Sequence, residues 1–168
     1  MNNLVLIIGK TEGHIDQSLF ARSILDEKNG PPPEVNLFNE KNNGESILNL
    51  IDKGYVKSAH DISLGGLLVA ISKMCIKGNK GIKISKPKSL INEIEYFFAE
   101  DQGRYLIEIN KEDLKEVTKI LDKNSVHHEE FGIISKNDMI INEKTKLTID
   151  ELKSCLLYTS DAADDNVG

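Results

Sequence analysis

The apolar positions of this 168-residue chain fall into short runs separated by polar turns. Leu4–Gly9 is a continuous apolar run closed by glycine, the pattern of a buried strand. After the polar stretch Lys10–His14, the segment Gln17–Asp26 carries Phe20, Ile24 and Leu25 at helical spacing, and Gly30-Pro31-Pro32-Pro33 stops it. Leu37–Lys53 resumes a helical period, with Gly54 placed as its C′ glycine. A short strand begins at Val56, and an apolar helix opens after Gly65-Gly66 and runs to about Ile76. Ile82-Lys83-Ile84 alternates as a strand, and Ser89 stands where it could cap a helix carrying Leu90, Ile91, Ile94 and Phe97-Phe98. Arg104–Ile109 reads as a strand, Lys111–Asp122 as an amphipathic helix, Phe131–Ile134 and Met139–Ile141 as two strands, and Leu147–Lys153 as a short last helix. Strands and helices alternate, but their spacing is uneven and a late hairpin intrudes. This predicts an α/β (α+β) fold with a mixed sheet and helices packed on it, not a regular doubly wound sheet.

Composition narrows the function classes. The net charge of -6 and the lack of a basic stripe exclude nucleic acid as an expected partner, and the absence of Trp disfavours a base-stacking platform. Cys75 and Cys155 have no metal-ligand spacing; Cys75 reads as a small buried hydrophobe. No apolar run reaches membrane-spanning length and no signal peptide is evident, so no membrane is expected and a reducing cytoplasm is the default location. Cys155–Gly168 breaks with everything before it: its periodicity is lost, and Cys155–Asp164 resembles a sequencing-adapter sequence read in frame. Residues 1–154 are therefore taken as one domain, and residues 155–168 as a non-native tail expected to be disordered. Without the three tail aspartates the net charge becomes -3.

Chemistry concentrates in three places. In Val56–Met74 a strand runs through His60, Asp61 and Ser63 into Gly65-Gly66 and then a helix, so backbone N–H groups at the helix start can face an anion such as a phosphate. The same residues also read as an N-cap serine and a tight turn into a core helix. His60 either meets a phosphate or is a satisfied histidine at a sheet edge, and Asp61 reads as a carboxylate that caps backbone N–H groups. Thr11, Glu12 and His14 follow the first strand, as ligand neighbours or as a solvent loop. Glu100, Asp101 and Gln102 precede another strand; the two acids would need further oxygens to hold Mg²⁺, and the alternative is a polar turn with Arg104 pairing one of them. His127-His128 beside Glu129-Glu130 lack a second ligand cluster.

Taken in order and at these separations, Gly9–His14 with Gln17-Ser18-Leu19, the His60–Gly66 turn and Phe98–Tyr105 resemble the C-terminal end of the synthetase subunits of phosphoribosylformylglycinamidine synthase. Gly30–Pro33 and Asn42-Asn43-Gly44 fit the same pattern, and the resemblance covers about Leu4 to Ser154. These synthetases belong to the aminoimidazole ribonucleotide synthase superfamily, which pairs an N-terminal dimerising domain with a C-terminal α/β domain. The resemblance implies a C-terminal domain whose upstream half, with the catalytic histidine and the Mg-nucleotide residues, lies outside this chain. It implies an ATP-dependent carbon–nitrogen ligase reaction of purine biosynthesis: formylglycinamide ribonucleotide, ATP and glutamine-derived ammonia give the amidine. The implied cofactors are ATP and Mg²⁺, and the implied partners are the upstream domains, a glutaminase and a small-molecule ribonucleotide. No catalytic or metal residue is assigned here, and the chain alone is expected to be inactive. The ligand-binding candidates are Thr11, His14, His60, Asp61, Ser63, Gly65, Gly66 and Gln102. The family carries an acid where this chain has Leu64, which argues against a metal role for that turn. The competing readings are a noncatalytic assembly module, or a related enzyme of the selenophosphate synthase or thiamine-monophosphate kinase type.

Overall fold

The computed structural model of the protein describes residues 3–85 and 91–164, with side chains described as far as Leu156. The strands are β1 (Leu4–Ile8), β2 (Val56–Asp61), β3 (Gly81–Ile84), β4 (Tyr105–Ile109), β5 (His128–Ser135), β6 (Asp138–Ile141) and β7 (Thr145–Thr148). The helices are α1 (Leu19–Ile24), α2 (Leu37–Asp52), α3 (Gly66–Gly78), α4 (Glu93–Phe98), α5 (Leu114–Lys123) and α6 (Ile149–Asp164). The strands form one sheet in the order β2-β4-β1-β5-β3-β6-β7. Among the described residues only the β3–β6 pair is parallel, so the sheet is mixed, as the uneven spacing predicted.

β1 lies inside the sheet between β4 and β5, and all five of its residues are buried. A strand with both faces covered can dispense with polar alternation. Val5 and Ile7 point into a core with Leu67, Ile71 and Cys75 of α3, Tyr96 and Phe97 of α4, and Ile149 and Leu152 of α6. Leu4, Leu6 and Ile8 point the other way, onto Ile47 and Leu50 of α2 and Val117 and Leu121 of α5. The molecule is thus a sheet between two helical layers. Cys75 sits inside the first core, and burial pushes its thiol up to about 12.

The ends of the helices follow from local chemistry. α2 closes in a Schellman turn: Gly54, at φ 76°, donates to Ile51 O and Tyr55 donates to Leu50 O. α4 starts with a capping box in which Asn92 accepts from Glu95 N and Glu95 accepts from Asn92 N. The cap expected at Ser89 lies outside the described residues, and the helix begins at Glu93. Thr148 and Glu151 exchange the same pair of bonds at the start of α6.

Three elements differ from expectation. β5 begins at His128 rather than Phe131, because its polar first turn of residues still pairs with Ile7 and Ile8 of β1. Thr145–Thr148 forms β7 against β6 and takes Leu147 out of the expected last helix. α6 runs on to Asp164, into the segment expected to be disordered. Among the described residues, no helix is long and apolar enough to cross a membrane.

Candidate functional site

The end of β1 and the turn before β4 lie side by side, and a short polar network joins them. Asp101 is only 6% exposed. Its Oδ2 accepts from the N–H groups of Glu12 (3.0 Å) and Gly13 (3.2 Å), and its Oδ1 accepts from His14 N–H (3.0 Å). The fully buried Arg104 stands 3.6 Å from the same carboxylate. Its Nη1 donates to Thr11 Oγ1 (3.0 Å), and its Nη2 to the carbonyl of Ala99 (2.6 Å). Burial pulls the guanidinium down from its ordinary value, and Asp101 acts in the opposite direction. A charge at this depth persists because a carboxylate and three acceptor oxygens surround it. The pairing of Arg104 with one of the two acids is thus the arrangement that forms.

The neighbouring Glu100 has a different task. Its Oε1 accepts from Leu19 N–H at the start of α1 (2.7 Å) and from Gly65 N–H at the start of α3 (2.8 Å). Of the donors expected to face a phosphate at the α3 start, Gly65 N–H therefore meets a carboxylate of the same chain, and Gly66 N–H meets Ser63 O. Gly65 and Gly66 both have positive φ, 86° and 69°. A Cβ on Gly66 would stand 2.7 Å from the carbonyl carbon of Phe98 and 2.8 Å from Ala99 O. Glycine is required there by close packing against the end of α4. Gly65, not Ser63, occupies the N-cap position. His60 Nδ1–H donates to its neighbour's carbonyl, Asp61 O, at 2.6 Å, while the Asp61 side chain is largely exposed. These five candidates form one cluster at the edge strand β2 and the head of α3.

A second group of candidates borders a cavity of about 580 Å³. His14 and Gln102 line it, together with Gly9, Lys10, Glu12, Pro33, Glu34, Ser125 and His127. Thr11 lies behind the wall, held by Arg104. His14 Nε2–H donates to Pro31 O (2.9 Å), so the ring is tied to the Gly30–Pro33 turn. The Lys10 ammonium pairs with Glu12 at 2.9 Å, and that hydrogen bond with the attendant charge raises its pKa. The opposite wall is the first half of α2, through Asn36, Asn39, Glu40 and Asn43. Sequence reasoning did not single out those four as a wall. Their placement at i, i+3, i+4 and i+7, one helical face, was the available signal. Asn36 caps the helix by accepting from Asn39 N–H, and the buried Asn43 donates to Gly103 O (2.9 Å).

The wall is rich in amides and acids and has few cations. It can offer hydrogen bonds to a hydroxylated or amide-bearing ligand more readily than it can hold a bare phosphate. The Glu100-Asp101 pair does not fit Mg²⁺: Asp101 is committed to three N–H donors and Glu100 to two. Among the described residues, no three His, Cys, Asp or Glu side chains converge as a metal site.

Comparison with known proteins places the chain in a family. The family described as AIR synthase related protein, C-terminal domain, matches residues 2–141. The chain belongs to that family. It is 64% identical over 151 residues to phosphoribosylformylglycinamidine synthase subunit PurL of Pelagibacter ubique, covering 90% of this chain and 21% of the relative. Two solved structures share the fold: Thermotoga maritima PurL complexed with FGAR (TM-score 0.71, 19% identity, 89% of this chain and 27% of that one) and the same protein complexed with ATP (TM-score 0.67, 18% identity, 89% and 25%). The chain thus spans about a fifth of the length of the curated relative and about a quarter of the solved chains.

Proposed function

We propose that this chain is the C-terminal α/β domain of a PurL-type synthetase, an ATP-dependent carbon–nitrogen ligase of purine biosynthesis. The observation that carries the reading is the 64% identity to subunit PurL of Pelagibacter ubique over 151 residues. In the complete enzyme, formylglycinamide ribonucleotide would be phosphorylated by ATP at its amide oxygen, and ammonia from a glutaminase partner would displace the phosphate. ATP would supply the leaving group and Mg²⁺ would offset phosphate charge, with the ligating residues on the upstream domains. This chain's own contribution is a wall. His14 and Gln102, backed by Thr11, face the cavity beside α2. His60, Asp61, Ser63, Gly65 and Gly66 form the second candidate surface at the head of α3. The domain comprises residues 1–154, residues 155–168 are a non-native tail, and the enzyme works in the cytoplasm.

Purified alone, the chain should show no ATP hydrolysis driven by formylglycinamide ribonucleotide. Co-expressed with the remaining four-fifths of the Pelagibacter synthetase, it should restore ADP formation that depends on both the ribonucleotide and ammonia. Turnover by the isolated chain, or no restoration by a co-purifying pair, would overturn the proposal.

A further inference from the structure

We propose that Asn29 is a self-modification site: its side-chain amide closes on the Gly30 nitrogen, loses ammonia and leaves an isoaspartate that releases His14 at the cavity. The chain holds two Asn-Gly pairs, Asn29-Gly30 and Asn43-Gly44. Glycine removes the side chain that would otherwise crowd the attacking nitrogen. The fold treats the two pairs in opposite ways. Asn43 is 6% exposed inside α2, its amide donates to Gly103 O, and Gly44 N–H belongs to the helix ladder. Asn29 and Gly30 are exposed and lie outside any helix or strand. Among the described residues, no acceptor takes the Gly30 N–H. Packing keeps position 30 a glycine, because a Cβ there would stand 2.5 Å from Asp16 Cγ.

The Gly30 nitrogen gives its proton to solvent hydroxide and adds to Asn29 Cγ. A C–N bond forms, the Cγ–Nδ2 bond breaks, and the side-chain nitrogen takes a proton from water and leaves as ammonia. Water then opens the cyclic imide. Cleavage at the main-chain carbonyl gives isoaspartate, whose backbone runs through Cβ and Cγ; cleavage at Cγ gives ordinary aspartate. The surroundings make the first product consequential. Gln17 Nε2 donates to both Lys28 O (2.9 Å) and Gly30 O (3.1 Å), so one amide clamps the two carbonyls on either side of Asn29. His14 Nε2–H donates to Pro31 O, one residue further on (2.9 Å). Isoaspartate lengthens the main chain inside the clamp by one carbon, so the two carbonyls no longer converge on one amide, and Pro31 O moves off His14. Ordinary aspartate adds charge at unchanged chain length and leaves the clamp intact. His14 borders the cavity, so the modification reshapes that wall.

The folded chain, kept for days in oxygen-18 water at mildly alkaline pH, is mapped by peptide mass spectrometry, with isoaspartyl methyltransferase as the probe for isoaspartate. Asn43 reacts only when α2 opens, so the Asn29 peptide should convert at least about tenfold faster, and in urea the two should convert at similar rates. The NMR signals of the His14 ring should shift with the isoaspartate fraction, while Asn29→Asp should leave them in place. Equal conversion at Asn29 and Asn43 in the folded chain, or no isoaspartate at position 29, would overturn the proposal. So would His14 signals that stay put in the isoaspartate form or move equally in Asn29→Asp.

Discussion

Asp101→Ala is the most informative single change in this domain. The carboxylate is 6% exposed, accepts three N–H bonds from residues 12–14, and lies 3.6 Å from the fully buried Arg104 guanidinium. A hydrogen bond to a charged group is worth about 1.5–3 kcal/mol, and removing one partner of a buried ion pair costs about 3–5 kcal/mol. These figures do not add. The loop faces the cavity, so water can reach part of its N–H groups, and Arg104 keeps Ala99 O and Thr11 Oγ1 as acceptors. The expected loss is therefore about 3–4 kcal/mol, near the cost of the pair alone. Urea unfolding followed by circular dichroism reads it directly, and at roughly 2–4 °C per kcal/mol the melting temperature should fall by about 6–16 °C. Asp101→Asn keeps an acceptor oxygen and should lose about half as much. Hydrogen exchange at the amides of residues 12–14 should accelerate at all three in Asp101→Ala, and in Asp101→Asn only where the new amide NH2 replaces the accepting oxygen. A loss below about 0.5 kcal/mol for Asp101→Ala, the range of ordinary surface changes, would refute the claim that this carboxylate anchors the loop.

Gly66→Ala should cost at least about 2 kcal/mol, since the new Cβ would meet the Phe98–Ala99 backbone at positive φ; Gly54→Ala, with open space around it, should cost only about 1 kcal/mol. Both are read by the same unfolding assay, and equal losses would contradict the packing argument. The exposed Cys155 should react with a thiol reagent within the mixing time, while the buried Cys75 should react only at the rate of opening. Burial raises the Cys75 pKa from 9.0 to about 12, so between these values the unfolded chain gives up a proton that the folded chain keeps. Stability should therefore be intact below about pH 9 and fall as pH rises, by about 1.4 kcal/mol per pH unit for this group, and Cys75→Ala should reduce that slope. Tyr96, raised in the same direction by burial and then by its bond to Glu129, should keep part of the alkaline decline in the Cys75→Ala protein. Ending the chain after Ser154 keeps the buried Ile149 and Leu152, so the unfolding free energy should change by less than about 1 kcal/mol; a larger loss would show that residues 155–168 belong to the core.

Most of the architecture was legible because burial writes itself as pattern. Leu4–Ile8 is apolar throughout since both of its faces are covered, and α5 is amphipathic since one face, Leu114, Val117, Ile120 and Leu121, packs on the core. β7 was not legible. Of Thr145–Thr148 only Leu147 is partly buried, so the strand at the sheet's edge has no apolar alternation to display. The turn before it uses Asn142 and Glu143 at positive φ, 51° and 57°, where glycine would have been the readable signal. At the site, polarity marked the right segments but could not assign their partners. Asn36, Asn39 and Asn43 look like the solvated side of a helix until the Thr11–His14 loop is folded opposite them.

The pair Glu100-Asp101 shows how physical context decides between chemistries that one dipeptide permits. Two adjacent acids before a strand could have formed a cation site, but a carboxylate binds whichever donors the fold delivers. Here the fold delivers five backbone N–H groups: Glu100 takes those of Leu19 and Gly65, and Asp101 takes those of Glu12, Gly13 and His14. The two side chains thus tie three separated pieces of chain to the turn before β4. One is the loop that lines the cavity; the others are the starts of α1 and α3. At the positive end of α3, which sequence reasoning offered to an external anion, Glu100 takes the Gly65 N–H. The larger opening beside these ties is the cavity between that tied loop and the amide face of α2. Its shape depends on Asp101 and Arg104, although Arg104 itself lies behind the wall. A change at Arg104 should therefore act on ligand affinity through the position of His14 rather than through lost ligand contact. Arg104→Lys tests this: with the Thr11 bond weakened, exchange at residues 12–14 and ligand affinity should change together, and a change in affinity with unchanged exchange would contradict the argument.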